Sequence, residues 1–481
     1  MLSVTILTIK TINRFNFVAL VILLSLSPQA VLAQTPTPPE GPIYIVQTGD
    51  TLWDIATLFG TSIDDIVAAN NLPSSDLYVG DSLIIPGLGI QTGALKIRTI
   101  LFGETLRNLV RESQADETTI RNLNRIVSPS ELYVGYRLIF LQENEQSPSV
   151  ARTSIGPFET SLEFAVTRGV NPWTIPNFNA LTSPWEIFPG DILYYPSAVE
   201  SVSAGAPGLP PIFSSLEIDP LPLKQGDTAQ ISATLNSEII QLSGVLIDKP
   251  LRFFRYNNSW VALQGVHAMV NPGIYPIRIE AALVDGSVQP FEQMIRVESG
   301  YYPTDPTLIV NQQTIDPAVM EPEADLIQQF VNVSTSERYW QGTFQSPAYF
   351  PDCFTSRYGS RRTYQTPDLS LSYSSFHSGV DFCGGVGLPI SAPAPGYVVF
   401  ADLLQVRGYA TIIDHGWGVF SGFWHQSELQ VSVGDWVETG QIIGLVGGTG
   451  RVTGAHLHWE IWVNGVQTNP IDWLDTTYPY E

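Results

Sequence analysis

Lysine stops at Lys249 in this 481-residue chain, and over its whole length 23 basic residues face 46 acidic ones, a formal net charge of −23. A dense Lys and Arg patch is missing, which leaves nucleic acid and anionic membrane surfaces as poor partners, because both are gripped by clustered cations. An uncharged or mixed-charge polymer suits such a surface better. Cysteine is confined to Cys353 and Cys383. Long apolar runs are missing too: the stretch from Phe17 to Leu26 falls well short of the roughly 20 residues that span a bilayer. No cysteine follows Val31-Leu32-Ala33 to accept a lipid. Histidine is sparse, with six in all, yet five lie between His377 and His458.

What is there begins with an expected export signal over 1–33. Lys10 and Arg14 precede the apolar run, Pro28 follows it, and Ala33 ends a small-residue cleavage site. An uncleaved anchor is the alternative. The expected location is secreted or envelope-associated, outside the cytoplasm and without a stable membrane anchor.

The length exceeds one ordinary core, so a multidomain chain is expected. After a Pro-rich spacer, one pattern recurs three times, over 43–87, 94–142 and 151–196. The first copy runs from Tyr44-Ile45-Val46-Gln47-Thr48-Gly49-Asp50-Thr51-Leu52 through a helix-periodic stretch to Asn70, then to Leu83-Ile84-Ile85-Pro86. Alternation gives way to helical spacing and returns, which predicts strand, two short helices, strand: a small α+β (βααβ) unit. Thr51 and Asn70, Thr105 and Asn124, and Thr160 and Asn179 stand at the same separation. A Ser/Gly/Pro-rich linker precedes 212–299, where β-branched and aromatic runs alternate with Asn257-Asn258, Pro272-Gly273 and Asp285-Gly286. An all-β sandwich is expected there. A connector over 300–342 carries a predicted helix from Glu323 to Asn332, and 343–481 forms the last domain.

These repeats resemble the lysin motif (LysM) module. The resemblance implies that the units bind N-acetylglucosamine-containing glycan, in a groove that would involve Gly49, Asp50, Thr51 and Leu52 together with Asn71, Leu72 and Pro73. In the third copy Pro157-Phe158-Glu159-Thr160 departs from the Gly-Asp-Thr-Leu pattern, which puts its sugar binding in doubt. The alternative is that the repeats only space the last domain from the envelope.

The chemistry concentrates at the C-terminal end. Phe376-His377-Ser378-Gly379-Val380-Asp381 sets a His and an Asp four apart, and Gly454-Ala455-His456-Leu457-His458-Trp459-Glu460 alternates polar with apolar. That alternation predicts a strand with both imidazoles on one face. Two imidazoles and a carboxylate suit zinc, which in catalytic sites keeps three protein ligands and an open position. Four histidines exceed that need, so the surplus ones are candidates for acid-base or oxyanion work.

With Arg357 to Arg361, Ala394 to Val399, Ile413-Asp414-His415-Gly416 and Val433 to Gly444 in order around these motifs, the stretch from His377 to Leu474 resembles the lysostaphin-like zinc endopeptidases. That resemblance implies an all-β antiparallel domain, Zn2+ held by His377, Asp381 and His458, and His425 with His456 as the catalytic pair outside the metal shell. His415 is left structural. The implied substrate is peptidoglycan, cut in its peptide stems or cross-bridges. A non-catalytic LysM envelope protein that recruits or activates another wall hydrolase is the rival. The even cysteine count in an exported chain favours a Cys353 to Cys383 disulfide; a Cys383 thiolate near the metal stays open, since Cys383 lies two residues beyond Asp381.

Overall fold

The computed structural model describes residues 41–480, apart from 89–92, 107–108, 111–115, 142–149, 156–158, 180, 182, 184–185, 188–191 and 197–208. The expected export signal, Pro157-Phe158 and most of the linker lie outside the described residues. Two compact units emerge, 1–94 and 95–481.

In the first unit the Ile43–Ile45 strand pairs antiparallel with Ser82–Ile84. Between them stand helices Leu52–Phe59 and Ile63–Asn70, each started by a hydroxyl cap: Thr51 accepts from the Asp54 N–H and Ser62 from that of Asp65. Such caps satisfy amides that have no partner inside a helix. Gly60 and Asn71 end the two helices in left-handed conformations, which glycine and asparagine adopt most cheaply. Leu52, Ile55, Phe59 and Ile66 meet Tyr44 and Leu83 in the core.

The recurrent asparagine has a structural explanation. Asn70 donates to the Ile66 and Ile84 carbonyls and accepts from the Ile84 N–H. Asn124 bonds Ile120 and Ile139 in the same pattern, and Asn179 bonds Ile175 and Tyr194. In every copy one amide clips the second helix to the closing strand. No aliphatic residue could replace it without leaving those buried backbone groups unpaired.

Residues 212–299 form a five-stranded and a four-stranded sheet. Ile231, Ala262, Ile277, Ile279 and Phe291 share the core between them. The longest hairpin, Gly273–Leu283 with Val288–Glu298, turns at Asp285-Gly286.

The C-terminal domain is built on an eight-stranded, antiparallel sheet. Along it run Phe354–Ser356, Val380–Cys383, His456–Val463, Val419–Gln426, Gly408–Asp414, Gly396–Leu404 and Trp436–Val437, with Val466–Thr468 added beside His456–Val463. One face buries Val380, Phe382, Phe423, Leu457, Trp459 and Ile461; Val261 and Leu263 of the preceding β domain enter the same core. The two domains therefore share apolar packing rather than touching through a polar rim. Cys353 and Cys383 are joined, with Cα atoms 5.4 Å apart, so no Cys383 thiolate is available to a metal.

The connector is woven into this domain. Leu308–Ile309 pairs in parallel with Arg361–Gln365. Its helix runs Pro317–Val331, starting earlier than the predicted Glu323, because Asp316 caps it and Pro317 occupies the first helical turn, where a missing N–H costs nothing. The apolar spacing of Leu326, Ile327 and Phe330 marks only the second half; the first half is set by its cap and by Met320, which packs beside Val310, Ile315 and Tyr364.

Candidate metal centre

Strand register brings the predicted residues together. Val380–Cys383 runs beside His456–Val463 with Asp381 directly opposite His458, a position at which side chains on one face stand about 5 Å apart. The alternation expected for His456–Val463 holds: Leu457, Trp459 and Ile461 point into the core, while His456, His458 and Glu460 take the other face. His377 follows the Ser372–Phe376 strand, its N–H bound to the Ser360 carbonyl.

His425 reaches the same face by a different device. Tyr409 pairs with Gln426 but Thr411 pairs with Phe423, so Trp424 and His425 together oppose the single residue Ala410. This is a β-bulge, and His425 has φ of +66°, a left-handed conformation uncommon for a residue with a side chain. Strict alternation would turn His425 away from Trp424. The bulge lets both line one cavity.

Three donor atoms converge. His377 Nε2 lies 3.0 Å from Asp381 Oδ1, His458 Nδ1 lies 2.7 Å from the same oxygen, and the two ring nitrogens are 3.1 Å apart. Backbone carbonyls and carboxylates cannot donate, so hydrogen-bond partners assign the tautomers. His377 Nδ1 donates to the Arg357 carbonyl at 2.8 Å, leaving a lone pair on Nε2. His458 is turned the other way: Nε2 faces Glu460 Oε1 at 3.0 Å, and Nδ1 is the nitrogen turned toward Asp381 and His377. Two ring nitrogens and a carboxylate oxygen thus face one point, each within about 3 Å of the others. This donor set fits a divalent metal, with the ligand orientation fixed from behind as such sites require.

Asp381 is gripped on both oxygens. Arg362 Nη2 stands 3.3 Å from Oδ2, and Arg362 Nε is 3.1 Å from Asp305 of the connector. Burial alone would raise the Asp381 pKa, but His377 and His458 hold it well below the usual carboxylate range. Glu460 likewise resists its burial: bonds from His458 and Ser378, with the Arg407 charge, bring it down to about 2. Burial, with the nearby charges of His458 and His456, depresses His425 well below an ordinary histidine, so it is neutral near pH 7. Its Nδ1 donates to the Thr449 carbonyl and His456 Nδ1 to that of Gly454. Both therefore offer Nε2, with their rings 5.2 Å apart. A neutral ring nitrogen of this kind can take a proton from water or, once protonated, steady a developing oxyanion.

Sequence reasoning missed Arg362, Asp305 and the part played by Gly379. A Cβ on Gly379 would stand 2.8 Å from His458 Nε2 and would overlap the Trp459 carbonyl, so the His458 to Glu460 bond needs a glycine there. Spacing carries no signal for any of the three. His415, fully buried, is bound to the Pro395 carbonyl and Ser421 Oγ, each at 2.8 Å. The cavity over the site measures about 570 Å³, and Asp305, Leu308 and Val310 of the connector form part of its wall.

Residues 375–470 match the family model described as peptidase family M23. The C-terminal domain is an M23 peptidase domain. Residues 44–86 and 99–140 match the LysM domain. Over 94 residues the M23 region is 42% identical to the peptidoglycan DD-endopeptidase ShyC of Vibrio cholerae serotype O1, covering 20% of this chain and 22% of that protein. Over 95 residues it is 39% identical to the DD-carboxypeptidase/endopeptidase Mpg of Neisseria meningitidis serogroup B, again covering 20% and 22%. The chain thus spans less than a quarter of the length of these relatives. Among solved structures, the catalytic domain of lysostaphin from Staphylococcus simulans is similar at 26% identity, covering 31% of this chain and 98% of that one with a TM-score of 0.21. M23 peptidases are metalloproteases, and the His-Asp-His cluster is where this one would hold its ion.

In the first repeat the expected glycan residues flank the helix ends. Gly49 has φ of +90°, Asp50 accepts from Tyr44 Oη and the Gln47 N–H, and Asn71 and Pro73 are exposed. Leu52 is buried, so only its backbone could meet a ligand. Trp53 and Tyr78, 66% and 72% exposed, were not among the expected glycan residues.

Proposed function

We propose that the protein is a secreted zinc endopeptidase that hydrolyses peptide bonds in peptidoglycan, held at its polymer by the LysM units. The observation that carries this reading is the convergence of His377 Nε2, Asp381 Oδ1 and His458 Nδ1 on one point, with the other nitrogen of each ring held from behind by the Arg357 carbonyl and by Glu460. His377, Asp381 and His458 would hold Zn2+, which supplies Lewis acidity and lowers the pKa of a bound water. His425 would accept a proton through Nε2 and return it to the leaving amine, and His456, more exposed, would steady the oxyanion. Arg362 keeps the outer Asp381 oxygen occupied, so that the carboxylate presents one oxygen to the site.

The relatives' names point to DD-endopeptidase cleavage. In the first LysM unit, Gly49, Asp50, Thr51 and Leu52 with Asn71, Leu72 and Pro73 would bind N-acetylglucosamine-containing glycan. Tethering raises the local concentration of stems without demanding affinity in the catalytic groove. The export signal over 1–33 would deliver the chain to the envelope. An intact donor set disfavours the non-catalytic rival.

Purified peptidoglycan digested by the zinc-loaded full chain, with mass analysis of the released fragments, tests the reading. New peptide termini should appear, vanish with a chelator and return with zinc. A zinc-loaded chain that releases none would sink the hydrolase and leave the recruiter. Deleting 43–87 should lower co-sedimentation with insoluble peptidoglycan.

A further inference from the structure

The groove holds a cation that the hydrolytic chemistry does not use. Arg451 lines the same cavity as His425, His456 and His458. Its guanidinium lies over the Tyr364 ring, 4.1 Å from the centroid, and its Nη1 donates to the Thr314 carbonyl at 3.1 Å. The Arg451 N–H is itself tied to the Val406 carbonyl at 2.8 Å. Ring, carbonyl and backbone thus fix the plane of the fork and one of its corners.

The other two arginines of the cavity are neutralised: Arg362 by Asp305 and Asp381, Arg407 by Glu323. Arg451 has no ion-pair partner among the described residues, and its Nε and Nη2 have no protein acceptor there. A fixed guanidinium edge with two free N–H groups matches a carboxylate in a bidentate pair, a geometry lysine cannot offer. The setting sharpens the point. In a chain of net charge −23 the overall field repels acidic peptides, so a groove meant for one needs a local cation.

We propose that Arg451 is a carboxylate-recognising subsite of the groove, which takes a free carboxylate of the substrate peptide and so selects stems with that acid unblocked. The proposal rests on the peptidase reading for the identity of the peptide but not for the binding itself. Tyr364 and Thr314, which position Arg451, both lie outside the segment of 375–470 that matches the family model and contains Arg451, so the positioning comes from the connector and its neighbouring hairpin.

The test is calorimetric binding of a stem peptide with free carboxylates, against the same peptide amidated at those groups, to the metal-free full chain. Without metal neither turnover nor carboxylate ligation of an ion can contribute. The free acid should bind at least about tenfold more tightly, Arg451→Gln should bring the two peptides within twofold, and Arg451→Lys should fall between. Equal binding of both peptides by the unsubstituted chain, which needs no variant to fold, would overturn the proposal. So would a preference that survives Arg451→Gln. Retained discrimination in a zinc-loaded chain that cleaves neither peptide would count against the hydrolase alone.

Discussion

One face of one strand, His456–Val463, contrasts two uses of the same surface. At its start His456, His458 and Glu460 open onto a cavity, with Asp381 across the register from His458. At its end Trp462 joins Trp424, Phe420 and Ile412 beneath Ile327 and Val331 of the connector helix. The polar end is ordered by hydrogen bonds from behind each ring; the aromatic end is ordered by close packing. Function and stability are therefore separable along a few residues of one strand, with Trp424 and His425 of the bulge at the border.

Substitutions should respect that border. Asp381→Ala removes one of three donors, so zinc and activity should vanish together, a loss of more than about 10³-fold in turnover, while the thermal transition of the metal-free chain persists. Plasma spectrometry and cleavage on one preparation check this. A variant that keeps its zinc would relocate the site.

At the packed end, Ile327→Ala should cost about 2–5 kcal/mol in urea unfolding, the range for emptying a buried aliphatic site, with zinc affinity unchanged. A parallel loss of zinc would show that the two halves are coupled and the comparison false.

His425→Ala should retain close to one zinc per chain and lose turnover by a factor on the order of 10². If its zinc goes as in Asp381→Ala, His425 is a ligand and the role assignment fails. Glu460→Gln sharpens the same point from behind His458: the carboxylate that fixes the tautomer is gone, and zinc affinity should fall roughly 10- to 100-fold, read by competition with a chromophoric chelator.

The smallest expected effect concerns a carboxylate that has one amide donor, Asn469, and other carboxylates nearby. Asp472, where the C-terminal domain meets the β domain, is pushed up to about 7 by burial first and then by Asp227. The folded state holds its proton more tightly than the unfolded chain. Stability should therefore decline as pH rises from about 4 to 7 and level off above. Asp472→Asn should flatten that slope in thermal melts across this window; an unchanged slope would assign the pH dependence elsewhere.

Much of this was legible in residue order. Asn70, Asn124 and Asn179 recur at one spacing because each clips a helix to a strand. His456, His458 and Glu460 alternate with core residues because strand geometry has period two. Both are local rules, written in the spacing of neighbours. His425, Arg362 and Asp305 are different. The bulge that turns His425 toward the site is defined by what stands opposite it on another strand. Arg362 meets Asp305 because the connector pairs with its strand, and meets Asp381 from a different sheet. The connector helix follows the same division: its second half was visible as periodicity, but its role as cover over Trp424 and Trp462 was decided by the sheet beneath it. Sequence determined which face each residue takes on its own element; tertiary structure decided which elements meet, because register and docking depend on chain segments too far apart for any spacing to record.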